Sequence, residues 1–339
     1  MTETNASPLD RQLNIADIAA MAGVATSTVS RALSNPDRVN AKTREKIEKI
    51  AADMGYVPSG LARGLRMGRT GIIAVLVPDV SNVFSFGIVR GTQNQLKAAG
   101  YTQVLVNTEQ ENGFELEAMQ KLRRTSDGVI LGSSSLTDEQ LSELAAIQPL
   151  VTINRPAPNT SSVLIDTSAG MAEAMKHLAS LGHTSVTYVG GPATSWSSKS
   201  RWESIQQAAL DLRMTAQMIG PYPASAQSGI EAAEKLAKVN ATAAIAFNDV
   251  MAISMLQRFA ELGLSVPKDI SLVGCDDIYG SDFCNPPLTT ISTPIEKAGH
   301  TAVEMLLARL DSKRGASPAE LTSLPAQLVI RGSTGQVPG

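Results

Sequence analysis

The sequence predicts a small all-α helix-turn-helix head followed by two doubly wound α/β lobes. Three observations carry this. Between Asn14 and Leu33 apolar residues recur at helical spacing on either side of Gly23. From Ile72 onward, short apolar β-runs alternate with helical segments, the pattern of parallel strands covered on both faces. The alternation runs through twice, and a length of 339 residues predicts two or three domains.

Residues 1–13 read as a polar, disordered tail. Residues 14–57 form the head. In its first helix Ile15, Ile18, Ala19 and Ala22 share a face, and Gly23 supplies the freedom a tight turn needs. In the second, Val24, Val29, Ala32 and Leu33 face inward. Its outer face carries Thr26, Ser27, Thr28, Ser30 and Arg31, short hydrogen-bonding groups and one Arg suited to base edges and phosphates in a major groove. A plain helical hairpin with a polar surface is the competing reading. The third helix spans about Ala41 to Met54, with Asn40 as N-cap and Gly55 as terminator. Ile47, Ile50 and Ala51 are its apolar face, while Lys42, Arg44, Lys46 and Lys49 are solvated or phosphate-facing. Residues 58–70 form a glycine-weakened hinge segment and linker.

The core, 71–337, begins with a strand at Ile72–Val77 and a helix around Ser85–Ala99. Strands follow at Thr102–Asn107, Gly128–Gly132 and Leu150–Asn154, with helices at Phe114–Arg124 and Asp138–Ala146 between them. The second run places helices at Ser168–Leu181, Arg201–Leu212, Ser228–Lys238 and Asp249–Glu261, and strands at Val186–Gly190, Ala243–Phe247 and Ser271–Gly274. Ligands in this architecture sit at the carboxyl ends of strands. Those positions hold Asn82 and Phe84, Asn154 and Arg155, Trp196 and Arg201, Asn248 and Asp249, and Asp276 and Asp277. Arg, Asn and Asp with aromatics suit a polyhydroxylated ligand, although each residue is equally a helix cap or turn former.

The net charge of −3 divides unevenly. Residues 1–70 hold ten Lys and Arg against seven Asp and Glu, a net +3, and the rest carries −6. A basic head on an acidic body fits a head that meets a polyanion. No enzyme constellation emerges: Gly190-Gly191-Pro192 is not a phosphate loop, Asp276-Asp277 has no nucleophile beside it, and there are three histidines. Cys275 and Cys284 make no metal-ligand spacing with His177, His183 or His300, so no metal or cofactor is expected, and a buried thiol in a reducing compartment is the simpler reading. The N-terminus has no apolar segment of a secretory signal, and no run spans a membrane, so the expected location is cytoplasmic.

Several motifs together resemble the LacI/GalR family of bacterial transcription repressors, from Asn14 to about Arg331. They are Thr-Val-Ser-Arg-Ala-Leu (28–33), Val-Asn-Ala-Lys-Thr-Arg-Glu-Lys-Ile (39–47), Met-Gly-Tyr-Val-Pro (54–58), Leu-Ala-Arg-Gly-Leu (61–65), Leu-Gly-His (181–183), Phe-Asn-Asp (247–249), Gly-Cys-Asp-Asp (274–277) and Pro-Pro-Leu-Thr-Thr-Ile (286–291). The resemblance implies a periplasmic-binding-protein-like core. It implies that Thr26, Ser27 and Arg31 read bases, and that Thr28, Ser30, Asn40, Thr43, Tyr56 and Ser59 touch phosphates, with Lys42 and Arg63 also on the DNA side. It makes Leu65 a minor-groove wedge. Arg201, Asn248 and Asp276 then hold the effector, with Phe84, Arg155 and Trp196 as looser lining, and Tyr222 is the nearest match to a further aromatic. Three departures stand out. Ala25 replaces a capping Ser, with Thr26 able to take over by starting the helix one residue later. Val83 replaces a Pro and Ser204 a Gly, both bearing on pocket shape.

The resulting expectation is a homodimeric repressor on a near-palindromic double-stranded operator, with no membrane partner. Its effector is a sugar, a sugar phosphate or a nucleoside, held between one lobe of about 71–165 and 293–323 and another of about 166–292 and 324–337. A sugar-binding protein without a DNA role is the alternative.

Overall fold

The computed structural model describes residues 14–34, 38–54, 56, 69–109, 112–239, 241–311 and 318–338. The expected tail (1–13), Gly55, and the hinge positions Ser59, Arg63 and Leu65 lie outside the described residues. The chain forms two compact units, 1–71 and 72–339.

In the head, α1 (Ile15–Ala22), α2 (Thr26–Ser34) and α3 (Ala41–Asp53) bury Ile18, Ala19, Ala22, Val29, Ala32 and Ile47 together. A reciprocal cap starts α1: Asn14 Oδ1 accepts from Ala16 N at 2.8 Å, and Asp17 accepts from Asn14 N at 2.8 Å. Gly23 ends α1 with φ of +66°, and a Cβ there would meet nothing within 4 Å, so the backbone and not crowding requires glycine. Asn40 caps α3, accepting from Lys42 N at 3.0 Å. One expectation is corrected. Thr26 does not take over the cap of α2. Ala25 holds that position, its carbonyl accepting from Thr28 and Val29, and its methyl side chain offers no acceptor to the first turn. Lys46 is exposed as expected, and its Nζ also donates to Ala22 O at 2.9 Å, satisfying a carbonyl at the end of α1.

The second unit holds two six-stranded sheets. The first contains β1 (Ile72–Val77), β2 (Thr102–Asn107), β3 (Gly128–Gly132), β4 (Leu150–Ile153), β5 (Ser161–Asp166) and β11 (Leu321–Pro325), in the order β11-β5-β4-β3-β1-β2. All its pairings are parallel. The second contains β6 (Ser185–Val189), β7 (Thr215–Ile219), β8 (Ala243–Ala246), β9 (Ser271–Asp276), β10 (Thr289–Ser292) and β12 (Gln327–Val329), in the order β12-β10-β9-β8-β6-β7. Only the β10–β12 pair is antiparallel. The helices are α4 (Val83–Ala98), α5 (Asn112–Leu122), α6 (Asp138–Ile147), α7 (Ser168–Ser180), α8 (Trp196–Leu212), α9 (Ala226–Lys238), α10 (Asp249–Glu261) and α11 (Ile295–Asp311). The chain changes sheet after β5, β10 and β11.

The periodicity reading misses β5, β7, β10, β11 and β12. Strand β5 has only a short apolar run, Val163 to Ile165, behind two buried serines: Ser162 Oγ pairs with Thr152 Oγ1 at 2.7 Å, and Arg309 donates to Ser161 Oγ at 2.8 Å. Strands β7, β11 and β12 lie at sheet edges and are largely exposed. Helix α8 starts at Trp196, five residues before the expected start at Arg201, because Ser195 caps it by accepting from Ser198 N at 3.1 Å. Arg201 therefore lies inside the helix.

Helices α4 and α11 cross closely through glycines. A Cβ on Gly91 would lie 2.2 Å from Glu296 O, and one on Gly299 2.7 Å from Ile88 O. The obstacle in each case is backbone, which cannot swing aside. Gly91→Ala is expected to destabilise by about 1–3 kcal/mol despite the helix propensity gained. Gly113→Ala, where nothing lies within 4 Å of the new Cβ, leaves stability unchanged or raised. Chemical denaturation of the two variants checks the contrast.

Candidate ligand cavity and nucleic-acid interface

A cavity of about 380 Å³ opens where the strands of both sheets end. Strand β1 leads into Pro78, β2 into Thr108, β3 into Ser133 and β4 into Asn154. From the other lobe β7 leads to Pro221, β8 to Phe247 and Asn248, and β9 ends on Asp276. Parallel strands place these residues side by side, because every strand of one sheet delivers its carboxyl end to the same edge.

The firmest part of the lining is a buried ion pair. Arg201 and Asp276 are 3% and 5% exposed, and Arg201 Nη2 donates to Asp276 Oδ1 at 3.1 Å. Nη1 donates to the Phe247 carbonyl, and the guanidinium lies 4.9 Å from the Phe247 ring centre. The Nε–H is buried with no partner among the described residues. Burial pushes the Asp276 carboxyl up to about 7, with Arg201 pulling the other way. Asp276 has a φ of +115°, so the β9 end is held in a backbone conformation that L residues seldom adopt.

Asn248 is both a helix cap and a cavity-lining residue. Its Oδ1 caps α10, accepting from Met251 N at 3.0 Å, and the residue lines the cavity. With the oxygen on the cap, the amide NH₂ remains as donor. Asp249 is structural. It is fully buried and accepts from Thr290 Oγ1 at 2.6 Å, Ser281 Oγ at 2.7 Å and Ile278 N at 3.1 Å. Asp277 pairs with Arg331 at 2.7 Å. Burial raises the Cys275 thiol well above its usual range, as a buried thiol requires.

Of the expected effector residues, Phe84, Arg201, Asn248 and Asp276 line the cavity, as does Tyr222. Arg155 and Trp196 are not among its lining residues. Arg155 is tied to its own lobe, donating to Pro156 O and Leu136 O at 2.7 Å and pairing with Asp138 at 2.8 Å. Trp196 is the first residue of α8, ahead of the helix turn that carries Arg201. Neither Val83 nor Ser204 lines the cavity; Ser204 Oγ donates to Ser200 O at 2.9 Å within its own helix. The sequence reading missed Glu115 and Ser133 to Ser135, while Asp79 belongs to the stretch after β1 that the strand-end rule covers. The serines follow the end of β3 and were open to the same rule. Glu115 sits in the first turn of α5, where no local signal separates it from a solvated acid that merely favours a helix N-terminus.

In the head, Thr26, Ser27 and Arg31 lie on the exposed face of α2. Arg31 folds back along its helix, Nε donating to Ser27 O at 3.2 Å and Nη2 to Ser27 Oγ at 3.4 Å. Thr28 and Ser30 are half-buried, and Asn40 and Lys42 are exposed at the start of α3. Thr43 is half-buried, and Tyr56 packs against the head core.

A model of bacterial regulatory proteins of the lacI family matches residues 14–59, and one of the periplasmic binding protein-like domain matches residues 175–334. The HTH-type transcriptional regulator DegA of Bacillus subtilis is 33% identical, the alignment covering 94% of this chain and 97% of the relative. The HTH-type transcriptional repressor CytR of Escherichia coli is 32% identical over 95% and 96%. The chain belongs to the LacI family. Among solved structures, the lac repressor dimer bound to operator and the anti-inducer ONPF superposes with a TM-score of 0.84 at 27% identity, covering 96% of this chain and all of that one. A LacI family regulator from Enterococcus faecium with bound ribose gives 0.69 at 28% identity over 78% of this chain and 99% of that one. This LacI family member is a DNA-binding transcription regulator of the helix-turn-helix type, and the alternative of a binding protein without a DNA role is not favoured. The relatives are regulators and not enzymes. Among the described residues no helix is long and apolar enough to cross a membrane, and no group of acidic, His and Cys side chains is arranged to hold a metal.

Asp276→Ala leaves a buried guanidinium uncompensated and is expected to cost about 3–5 kcal/mol of stability. Glu117→Ala, which breaks the exposed pair with Lys121 on α5, leaves stability near wild type, because solvent screens the pair. Urea unfolding of both variants tests the difference.

Proposed function

We propose that this protein is a homodimeric, cytoplasmic repressor whose operator affinity is set by a small polyhydroxylated effector in the cavity between the lobes. The observation that carries the reading is the convergence of Arg201, Asn248 and Asp276, from α8, α10 and β9, on one cavity at the strand ends. Asp276 accepts from ligand hydroxyls. Arg201 is held in place at the cavity by Asp276 and Phe247. The Asn248 amide adds a second donor. Two lobes joined by three crossings are suited to hinge closure around a ligand bound to both.

In the head, Thr26, Ser27 and Arg31 of α2 read the operator. Arg31 must leave its bonds to Ser27 to reach a guanine edge. A two-fold dimer calls for a near-palindromic operator, and light scattering of the free protein should give a dimer.

A ligand shifts operator affinity only through its differential affinity for two arrangements of the lobes. Asp276→Asn keeps the side-chain size and an acceptor for Arg201, but turns an acceptor toward the ligand into a donor. It is expected to leave operator binding near wild type and to raise the effector concentration needed for a response by tenfold or more. A response at the wild-type concentration, read by fluorescence anisotropy on labelled operator, contradicts the assignment.

Arg31→Ala and Lys42→Ala should fail differently. Losing a bidentate guanine contact costs about 1–3 kcal/mol on operator and relaxes preference at one base pair of each half-site. Losing a phosphate contact weakens binding to all sequences alike and makes the salt dependence shallower. Titrations on operator and random duplex at several salt concentrations separate the two, and equal losses for Arg31→Ala remove it from base reading.

A further inference from the structure

On the reading that the interlobe cavity holds the effector, we infer that Glu115 of the first lobe accepts a hydrogen bond from a donor on that effector, and that the cavity selects unphosphorylated ligands over their phosphate esters. Glu115 is 3% exposed and lines the cavity from α5. Both bonds it makes go to one oxygen: Oε2 accepts from Ser135 N at 3.1 Å and from Ser135 Oγ at 2.9 Å. Its other oxygen, Oε1, receives nothing from the described residues. A carboxylate this buried with one face unmet points to a ligand that brings an O–H or N–H.

The charge around the cavity sets what that ligand can be. Its ionisable lining contains the carboxyls of Asp79, Glu115 and Asp276 against one basic side chain, Arg201, among the described residues. Arg201 is already paired with Asp276 and bonded to the Phe247 carbonyl. The other Arg expected from sequence, Arg155, is held outside the cavity by Asp138 and two carbonyls. A phosphate would therefore enter a site with more anionic than cationic groups and no free fork to receive it. A neutral sugar or nucleoside meets acceptors on both lobes, at Asp276 and at Glu115. The acid also acts against phosphorylated competitors, because rejecting them needs only the unpaired like charge.

The experiment uses full-length protein and calorimetric titration with matched pairs: ribose and ribose 5-phosphate, glucose and glucose 6-phosphate, and adenosine and cytidine with their 5′-monophosphates. At least one neutral member should bind, and its phosphate ester should bind at least tenfold more weakly. Sugar and nucleoside arms distinguish which source supplies the donor. Glu115→Gln is the decisive variant. The Gln carbonyl keeps both bonds from Ser135, so the fold holds, while NH₂ replaces the free acceptor. Affinity for the neutral ligand should fall about tenfold or more, and the gap to the phosphate ester should narrow. A phosphate ester that binds as tightly as its parent, no neutral member binding, or an unchanged affinity in Glu115→Gln overturns the inference. Arg201→Ala separates this failure from a failure of the site itself. Ligand lost in Arg201→Ala but indifferent to phosphate overturns the Glu115 inference alone, whereas ligand retained in Arg201→Ala lies elsewhere and brings both down.

Discussion

The buried pair between Arg201 and Asp276 is the interaction on which the cavity depends. Two charges taken out of water survive only when their remaining hydrogen-bonding capacity is met. Here the Phe247 carbonyl and ring meet much of it for Arg201. The pair ties α8 to the end of β9, and Phe247, at the end of β8, joins a third element to them. The cavity wall of the second lobe is thereby set by the protein's own bonds. The Nε–H of Arg201 is left buried without a partner among the described residues, behind the face that the pair presents to the cavity. The α8 cap at Ser195 contributes by fixing where the helix starts, and so where in it Arg201 falls.

Most of the architecture was legible because parallel strands buried on both faces leave plain apolar runs: Ile72 to Val77, Gly128 to Gly132 and Ala243 to Ala246 each read directly. The head was legible through Gly23 and Asn40, whose turn and cap roles are local, while the reciprocal cap of Asn14 and Asp17 emerged only from the structure. The missed strands fail that test for physical reasons. Strand β5 opens on the buried Ser161 and Ser162, bonded to Arg309 and Thr152, which leaves an apolar run of only three residues, and β7, β11 and β12 sit at edges with exposed faces. The cavity was half legible. The rule that ligands gather at strand ends found Phe84, Arg201, Asn248 and Asp276. It also gathered Arg155 and Trp196, which follow strands yet do not line the cavity, because position in the chain does not fix where a long side chain is bonded. Glu115 stayed hidden because its partner, Ser135, is twenty residues away in sequence, and only the fold brings them together.

The two units divide the labour of regulation. The head carries short polar groups on α2 and a small core, which suits recognition of a regular surface. The core carries a deep site assembled from many strand ends, which suits recognition of a small molecule. Communication between them must take the form of linkage: whatever lobe arrangement the ligand prefers must differ in its ability to hold DNA.

Reciprocity offers the most direct test of that claim. The measurement is the effector's dissociation constant for the free protein and for the protein saturated with its operator, under one buffer and salt. The account predicts that operator changes effector affinity by the same factor by which effector changes operator affinity, roughly 5-fold to 150-fold for ordinary coupling. An effector affinity that is identical with and without operator would contradict it.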